Sequence, residues 1–259
     1  MDGRTDLAME AYALWKQDAQ DTTQLPGVKA REEDAGGVHI TRVDILDERG
    51  QAALGKPVGR YVTLELRALA RKEEGSFEQA AQAIGREASA FLHSPGSALC
   101  AGLGNDEITP DAFGPWALGS ILAVSYTHLR ALELVRAAAD FLQPEAIIAL
   151  DALAAMDPAR LCTTVQLTDA GLAPGSGIGN HRAAFTKQAL GRPVLAVGAP
   201  TLMRAQSLAE RELPGLPGLI VTPRDADVRV RELARVVGFG LTLALHPGLS
   251  VQDAARFLA

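Results

Sequence analysis

Four short, continuous apolar runs constrain the fold of this chain more than any other feature. They occupy residues 98–103, 146–150, 194–198 and 219–221. A strand with one wet face alternates apolar and polar residues. A run that does not alternate, and is too short for a helix, reads as a strand buried on both faces. Helical patterns lie between or after these runs, at 112–123, 129–143, 202–212 and 224–245. Buried strands separated by helices predict an α/β fold, with a mostly parallel central sheet and helices on both faces. The chain has 259 residues, 47% of them hydrophobic, which is ample for a sizeable core.

The N-terminal third has a different pattern. Residues 4–15 read as a short amphipathic helix. Residues 17–37 are polar, with Pro26 and Gly36-Gly37, and read as a loop or linker. Thr41, Val43 and Ile45 alternate with Arg42 and Asp44, and Val62, Leu64 and Leu66 alternate with Thr63 and Glu65. With Lys56-Pro57-Val58-Gly59 as the break, these two segments predict an antiparallel pair, an N-terminal β-hairpin region. Ser76 followed by Gln79 has the spacing of a capping box. It opens a helix whose Phe77, Ile84, Ala88 and Phe91 share one face. Thr222 reads as the N-cap of the last long helix, with Pro223 first and Asp225 third.

Charge and composition exclude several classes. The net charge of −6 gives no basic surface for wrapping nucleic acid. The start of the chain lacks the apolar stretch of a signal peptide, and no run of about 18 apolar residues is available to span a membrane. The expectation is a cytoplasmic protein that meets neither membrane nor nucleic acid directly. Cys100 and Cys162 sit in or beside apolar runs and read as buried free thiols. There is no CxxC, no HExxH and no GxSxG, so common zinc sites and the usual serine elbow are not indicated, and no cofactor is expected.

In open α/β sheets, ligands bind beyond the carboxyl ends of the strands. Gly102-Leu103-Gly104-Asn105 follows the first apolar run, with Thr109-Pro110-Asp111 just beyond, and Asp151 follows the second. One sheet edge can therefore bring Asp111 and Asp151 together. Two neighbouring carboxylates do not ionise equally, so one can act as general base on water while the other donates a proton. Each aspartate also has a plain structural reading, Asp111 as a helix cap and Asp151 as a strand-end turn residue. Gly102, Gly104 and Asn105 form either a phosphate-cradling turn or one whose N–H groups polarise a peptide carbonyl. The loop Pro174-Gly175-Ser176-Gly177-Ile178-Gly179-Asn180 reads equally as a surface loop or a substrate loop, with Gly175, Ser176, Gly177 and Asn180 as contacts. His181 follows that loop, whereas His39, His93, His128 and His246 sit in no recognisable triad or metal spacing.

Taken in order, these segments resemble the germination proteases (spore proteases) of endospore-forming bacteria. The likeness runs over most of the chain. It includes Arg4-Thr5-Asp6-Leu7-Ala8-Met9-Glu10, Gly55-Lys56-Pro57-Val58-Gly59-Arg60-Tyr61, the two aspartate segments, Asn180-His181-Arg182, Leu190-Gly191-Arg192-Pro193-Val194 and Ile220-Val221-Thr222-Pro223-Arg224-Asp225. The resemblance implies an atypical aspartic-type endopeptidase that degrades small acid-soluble spore proteins in the spore core at germination. It implies a homotetramer and a self-processing zymogen cut between Asp6 and Leu7, with residues 1–6 as propeptide and 7–259 as one peptidase domain. Asp111 and Asp151 carry over as the catalytic pair, with no metal. A more distant likeness, through the Gly-Leu-Gly-Asn segment and the strand-end Asp151, is to hydrogenase-maturation endopeptidases. It implies the alternative of a metal held by Asp111, Asp151 and His181. The chain departs from the germination protease pattern after Ala123. There Val124-Ser125-Tyr126-Thr127-His128-Leu129-Arg130-Ala131 replaces several dozen residues that should hold a sheet strand, which predicts a gap in the core. The insertion before Ile220 is also reduced, to residues 211–218.

Overall fold

A computed structural model describes residues 5–18, 25–93, 95–122, 132–175, 183–208 and 219–258. The chain enters through helix α1 (Ala8–Asp18) and then forms strands β1 (Val28–Ala35) and β2 (Val38–Ile45). Helix α2 (Glu48–Leu54), β3 (Gly59–Glu65), α3 (Arg67–Ala70) and α4 (Ser76–Leu92) follow. The second half alternates: β4 (Ala98–Gly102), α5 (Phe113–Leu118), α6 (Leu132–Leu142), β5 (Ala146–Ala155), β6 (Thr164–Thr168), α7 (Lys187–Leu190), β7 (Val194–Arg204) and β8 (Ile220–Val221). Helices α8 (Ala226–Leu245) and α9 (Val251–Phe257) close it.

All strands join one sheet in the order β1-β2-β3-β6-β7-β5-β4, with β8 paired to β7. The α/β class with a central sheet is as the apolar runs predict. Parallel pairing is confined to β4, β5 and β7, encoded by the first three runs; the fourth becomes the short strand β8, which is partly exposed and pairs antiparallel with β7. The remaining pairs are antiparallel, including the expected β2–β3 pair. Strand pairing is continuous from β1 to β4 among the described residues. Residues 123–131 themselves lie outside the described residues, as do 209–218.

One sheet face carries Ile40, Leu64, Leu167, Val197, Ile148 and Leu150 and packs against α4, α5, α8 and α9. Helices α4 and α8 can approach closely because a Cβ on Gly85 would lie 3.0 Å from the Gly240 carbonyl oxygen. The opposite face is covered in two patches. Helices α1 and α2 bury Val43, Ile45 and Tyr61 at one end, and α6 and α7 bury Ile147, Ala149 and Leu99 at the other. Between those patches the same face carries the polar residues Thr63, Gln166, Thr168 and Asp151, all buried.

Several local expectations are corrected. Within the supposed linker 17–37, residues 28–35 form the edge strand β1, whose side chains are mostly exposed, so polarity hid the pairing. Ser76 is the first residue of α4 rather than its cap. Gly75 holds the cap position at φ +70°, with no side-chain capping bond, and the Ser76 hydroxyl donates to the Glu73 carbonyl. The helix expected at 202–212 is instead the end of β7 followed by a 3-10 turn at Ala205–Leu208, with 209–212 outside the described residues. Helix α8 begins at Ala226 with Asp225 at the cap position. Thr222 instead donates its hydroxyl to the Thr201 carbonyl at 2.8 Å, tying the strand end to β7.

Candidate active site

This polar stretch of the sheet is the floor of a cavity of about 220 Å³. In register across that floor lie Thr63 of β3, Gln166 of β6, Gly198 of β7 and Asp151 of β5. Residues directly opposite in a sheet project to the same face, so Gln166 and Asp151 flank Gly198. They stand two strand spacings, about 10 Å, apart. Glycine leaves that gap open. A Cβ on Gly198 would lie 2.5 Å from Leu153 Cγ. Both flanking side chains are deeply set, Asp151 at 4% and Gln166 at 4% exposure. Asp6, Lys56, Tyr61, Thr168 and Thr186 complete the polar part of the wall.

Asp151 occupies this position because β5 runs on to Ala155 while β4 stops at Gly102. The Leu103 N–H donates to the Leu150 carbonyl at 2.8 Å, so the loop carrying Asp111 leaves the sheet at the residue before Asp151. Gly104 turns that loop at φ +110°, where a Cβ would strike the Asp111 carbonyl oxygen at 2.0 Å. Asp111 closes the loop: its Oδ2 accepts the Asn105 N–H at 2.8 Å, at the end of a 3-10 turn packed against β5 and β7. The Thr201 hydroxyl anchors the same turn on the Pro110 carbonyl. The structure therefore places both aspartates at the same end of the parallel strands. Asp151 lines the cavity and Asp111 does not.

Gly102 ends β4 and Gly104 and Asn105 belong to the Asp111 loop; none of the three lines the cavity, whereas Gly175 does. Ser176, Gly177, Asn180 and His181 lie outside the described residues, which leaves the alternative metal set without a described third ligand. Among the described residues, no three of His, Cys, Asp and Glu gather closely enough to hold an ion. Cys100 and Cys162 are free thiols, each pushed up by burial to about 12.

The cavity is entered by the chain's own N-terminal segment, which the sequence marked only as a cleavage point. The Asp6 N–H donates to the Ala154 carbonyl at 2.8 Å, and the Ala154 N–H returns a bond to Asp6 Oδ2 at 2.8 Å. Lys56 Nζ donates to the Thr5 carbonyl at 2.7 Å. The Gln166 carboxamide grips the chain twice: Nε2 donates to the Asp6 carbonyl at 3.2 Å, and Oε1 accepts the Ala8 N–H at 2.8 Å. Leu7 is fully buried against Leu153, Ala155, Leu161 and Met203. Glu10 holds the following turn of α1 down, its carboxylate accepting from the Thr5 hydroxyl and from the N–H groups of Met156 and Asp157. Sequence reasoning missed Gln166 and β6 altogether. Val165 and Leu167 do alternate with Thr164, Gln166 and Thr168, a strand pattern too short to stand out, and a lone glutamine belongs to no motif.

The sequence profile of the germination protease family matches residues 6–138 and 124–214. The chain belongs to the germination protease family. It is 32% identical to the germination protease of Caldanaerobacter subterraneus subsp. tengcongensis over 321 aligned positions that cover 98% of each chain. It is 34% identical to that of Bacillus subtilis over 80% of this chain and 64% of the relative, and 27% identical to that of Clostridium tetani over the full length of both. Germination proteases are peptidases, so the chain's membership makes it a peptidase by family. The alignments run past 320 positions against 259 residues here, so the relatives carry residues this chain lacks. Among solved structures, a [NiFe] hydrogenase maturation protease, HycI, from Thermococcus kodakarensis is similar at 17% identity with a TM-score of 0.39, covering 59% of this chain and 97% of that one. No helix among the described residues is long and apolar enough to cross a membrane.

Proposed function

We propose that this protein is an endopeptidase that cleaves small acid-soluble spore proteins after acidic residues during spore germination, working in the spore core. In this reading it is made as a zymogen that removes residues 1–6 by cutting between Asp6 and Leu7, and it assembles as a homotetramer. The observation that carries the reading is the seating of a peptide segment, Thr5-Asp6-Leu7, along the cavity that Asp151 lines. An acidic residue followed by a fully buried leucine is held there in a fixed conformation, as a substrate would be. Asp151, in the cavity wall, and Asp111, outside the lining at the same end of the parallel strands, are proposed as the two carboxylates. One activates water toward the scissile carbonyl, and the other delivers a proton to the leaving nitrogen.

The test is incubation of the purified protein with a small acid-soluble spore protein, with products read by mass spectrometry. The reading predicts cleavage after acidic residues, unaffected by a chelator. Inactivation by chelator that a divalent metal reverses would replace it with the metal mechanism. A second reading, a family member that keeps the fold and binds peptide without cutting it, draws on the shortened chain. It is favoured if a well-folded protein leaves the substrate intact.

A further inference from the structure

We propose that Gln166 is a positioning residue that clamps the substrate backbone on both sides of the bond to be cut. Lys56 and the Ala154 N–H complete a reader for an acidic residue followed by an apolar one. The inference rests on the reading of Asp6–Leu7 as a cleavage point. It goes beyond that reading by assigning which groups recognise the peptide.

The Gln166 carboxamide spans the peptide unit between Asp6 and Leu7. It donates to the carbonyl before that bond and accepts from the N–H one residue after it. A planar amide that uses its donor and its acceptor on one stretch of backbone, here the bend at Asp6 that leads into α1, fixes both position and direction, independent of side chains. The N–H bound to Asp6 carbonyl is directed at the oxygen that gains charge when water adds to that carbon, so the same contact serves as an electrostatic aid. Gln166 and Asp151 flank Gly198 across the sheet, placing the clamp and the carboxylate on the two walls of one cavity.

Selection for an acidic side chain comes from two further groups. The Ala154 N–H binds the Asp6 carboxylate at 2.8 Å, where the register of β5 against β7 shifts between Leu153 and Ala154. Such an irregularity redirects backbone groups out of the ladder. Lys56 adds a buried cation on the preceding carbonyl, close enough to Asp6 and Glu10 to interact with both charges. The apolar residue that follows enters the pocket of Leu153, Ala155, Leu161 and Met203. The Gln166–Ala8 contact also satisfies the first free N–H of α1, so a purely structural capping role is the competing explanation.

The experiment uses the full chain and two labelled peptides containing Thr-Asp-Leu-Ala. One is unmodified. The other carries N-methylalanine, which removes only the N–H that Gln166 accepts. Binding is measured by fluorescence anisotropy and cleavage by mass spectrometry, for wild type, Gln166→Leu and Gln166→Glu, together with the rate at which each chain loses its own first six residues. The clamp predicts that N-methylation weakens wild type by about 100-fold in kcat/KM, the cost of losing one alignment contact. It predicts that Gln166→Leu loses a similar factor and gains no further loss from N-methylation. Gln166→Glu, which keeps the acceptor and lacks the donor, should retain KM while kcat falls. Equal penalties from N-methylation in wild type and Gln166→Leu would overturn the clamp and leave Gln166 as a helix cap. If Gln166→Leu fails to fold, the comparison of the two peptides on wild type decides alone, an unchanged kcat/KM or Kd overturning the proposal. If wild type binds without cutting, the peptidase reading fails, while a tenfold or smaller Kd ratio between the peptides still overturns the clamp and a larger one supports it. Absence of binding both by wild type and by the chain that has lost its first six residues overturns it outright.

Discussion

Replacing Gly198 with alanine places a methyl carbon 2.5 Å from Leu153 Cγ, 2.6 Å from Cδ1 and 2.8 Å from Cδ2. Ordinary contact begins near 3.4 Å, so the Leu153 side chain must retreat by roughly 1 Å in a tightly packed neighbourhood. Overpacking of this kind costs about 1–3 kcal/mol. Loss of glycine freedom in the unfolded chain offsets about 0.4–1 kcal/mol of it. The net expectation for Gly198→Ala is a loss of about 1–2 kcal/mol, or a Tm lower by roughly 2–8 °C for a domain of this size. Leu153→Ala alone removes a buried side chain and costs about 2–5 kcal/mol. In the double variant the clash has no partner, so the loss should match that of Leu153→Ala alone. A coupling equal to the Gly198→Ala loss, about 1–2 kcal/mol, then appears in the cycle. Urea unfolding followed by circular dichroism, with equal m-values across the four proteins, measures it. Losses that add to within about 0.5 kcal/mol would refute the reasoning, because they would mean that Gly198 and Leu153 do not compete for the same space over the cavity floor.

Three further outcomes follow from the same geometry. Leu7→Ala, which empties a fully buried site, should cost about 2–5 kcal/mol in urea unfolding; a loss under about 0.5 kcal/mol would show that the N-terminal segment does not dock. Burial holds the Lys56 ammonium below its usual 10.5, with Asp6 and Glu10 partly opposing. The folded chain thus sheds this proton before the unfolded chain does, and between those two values stability rises with pH. Lys56→Met should flatten that rise in urea midpoints measured toward pH 10.5, and an unchanged slope would contradict it. Cys162, buried, and Cys100, half-buried, both raised to about 12, should resist iodoacetamide at about pH 8 in the native protein and react in urea; rapid double alkylation of the folded chain, read by intact mass, would contradict this.

The parts of this molecule that the sequence reveals are those whose physics is local. Ile147, Ile148, Ala149 and Leu150 can only be a strand covered on both faces, and the rule that ligands gather beyond such strands led to Asp151. The edge strand β1 escaped notice because Lys29, Arg31, Glu32 and Glu33 face water, and an exposed edge needs no apolar pattern. Alternation at Val62, Leu64 and Leu66 suggested a half-exposed strand, yet Thr63 and Glu65 are buried. Thr63 lies in the row that leads to the cavity, and Glu65 is paired with Arg67 and Arg160. Gln166 could not be found from sequence, since its importance comes from register. Three strands distant in the chain place it opposite Gly198 and within reach of Asp6. The glycines of the Asp111 loop were legible as a turn, while the reason for Gly104, the close passage of the Asp111 carbonyl, is purely tertiary.

The most direct test of the central claim compares Asp151→Asn and Asp111→Asn with wild type on one fluorogenic peptide containing an Asp-Leu bond, with folding verified by circular dichroism. The account predicts that each variant keeps its fold and loses about 100- to 10,000-fold in kcat, the contribution of a lost acid or base. A folded Asp151→Asn protein that cuts at the wild-type rate would contradict it.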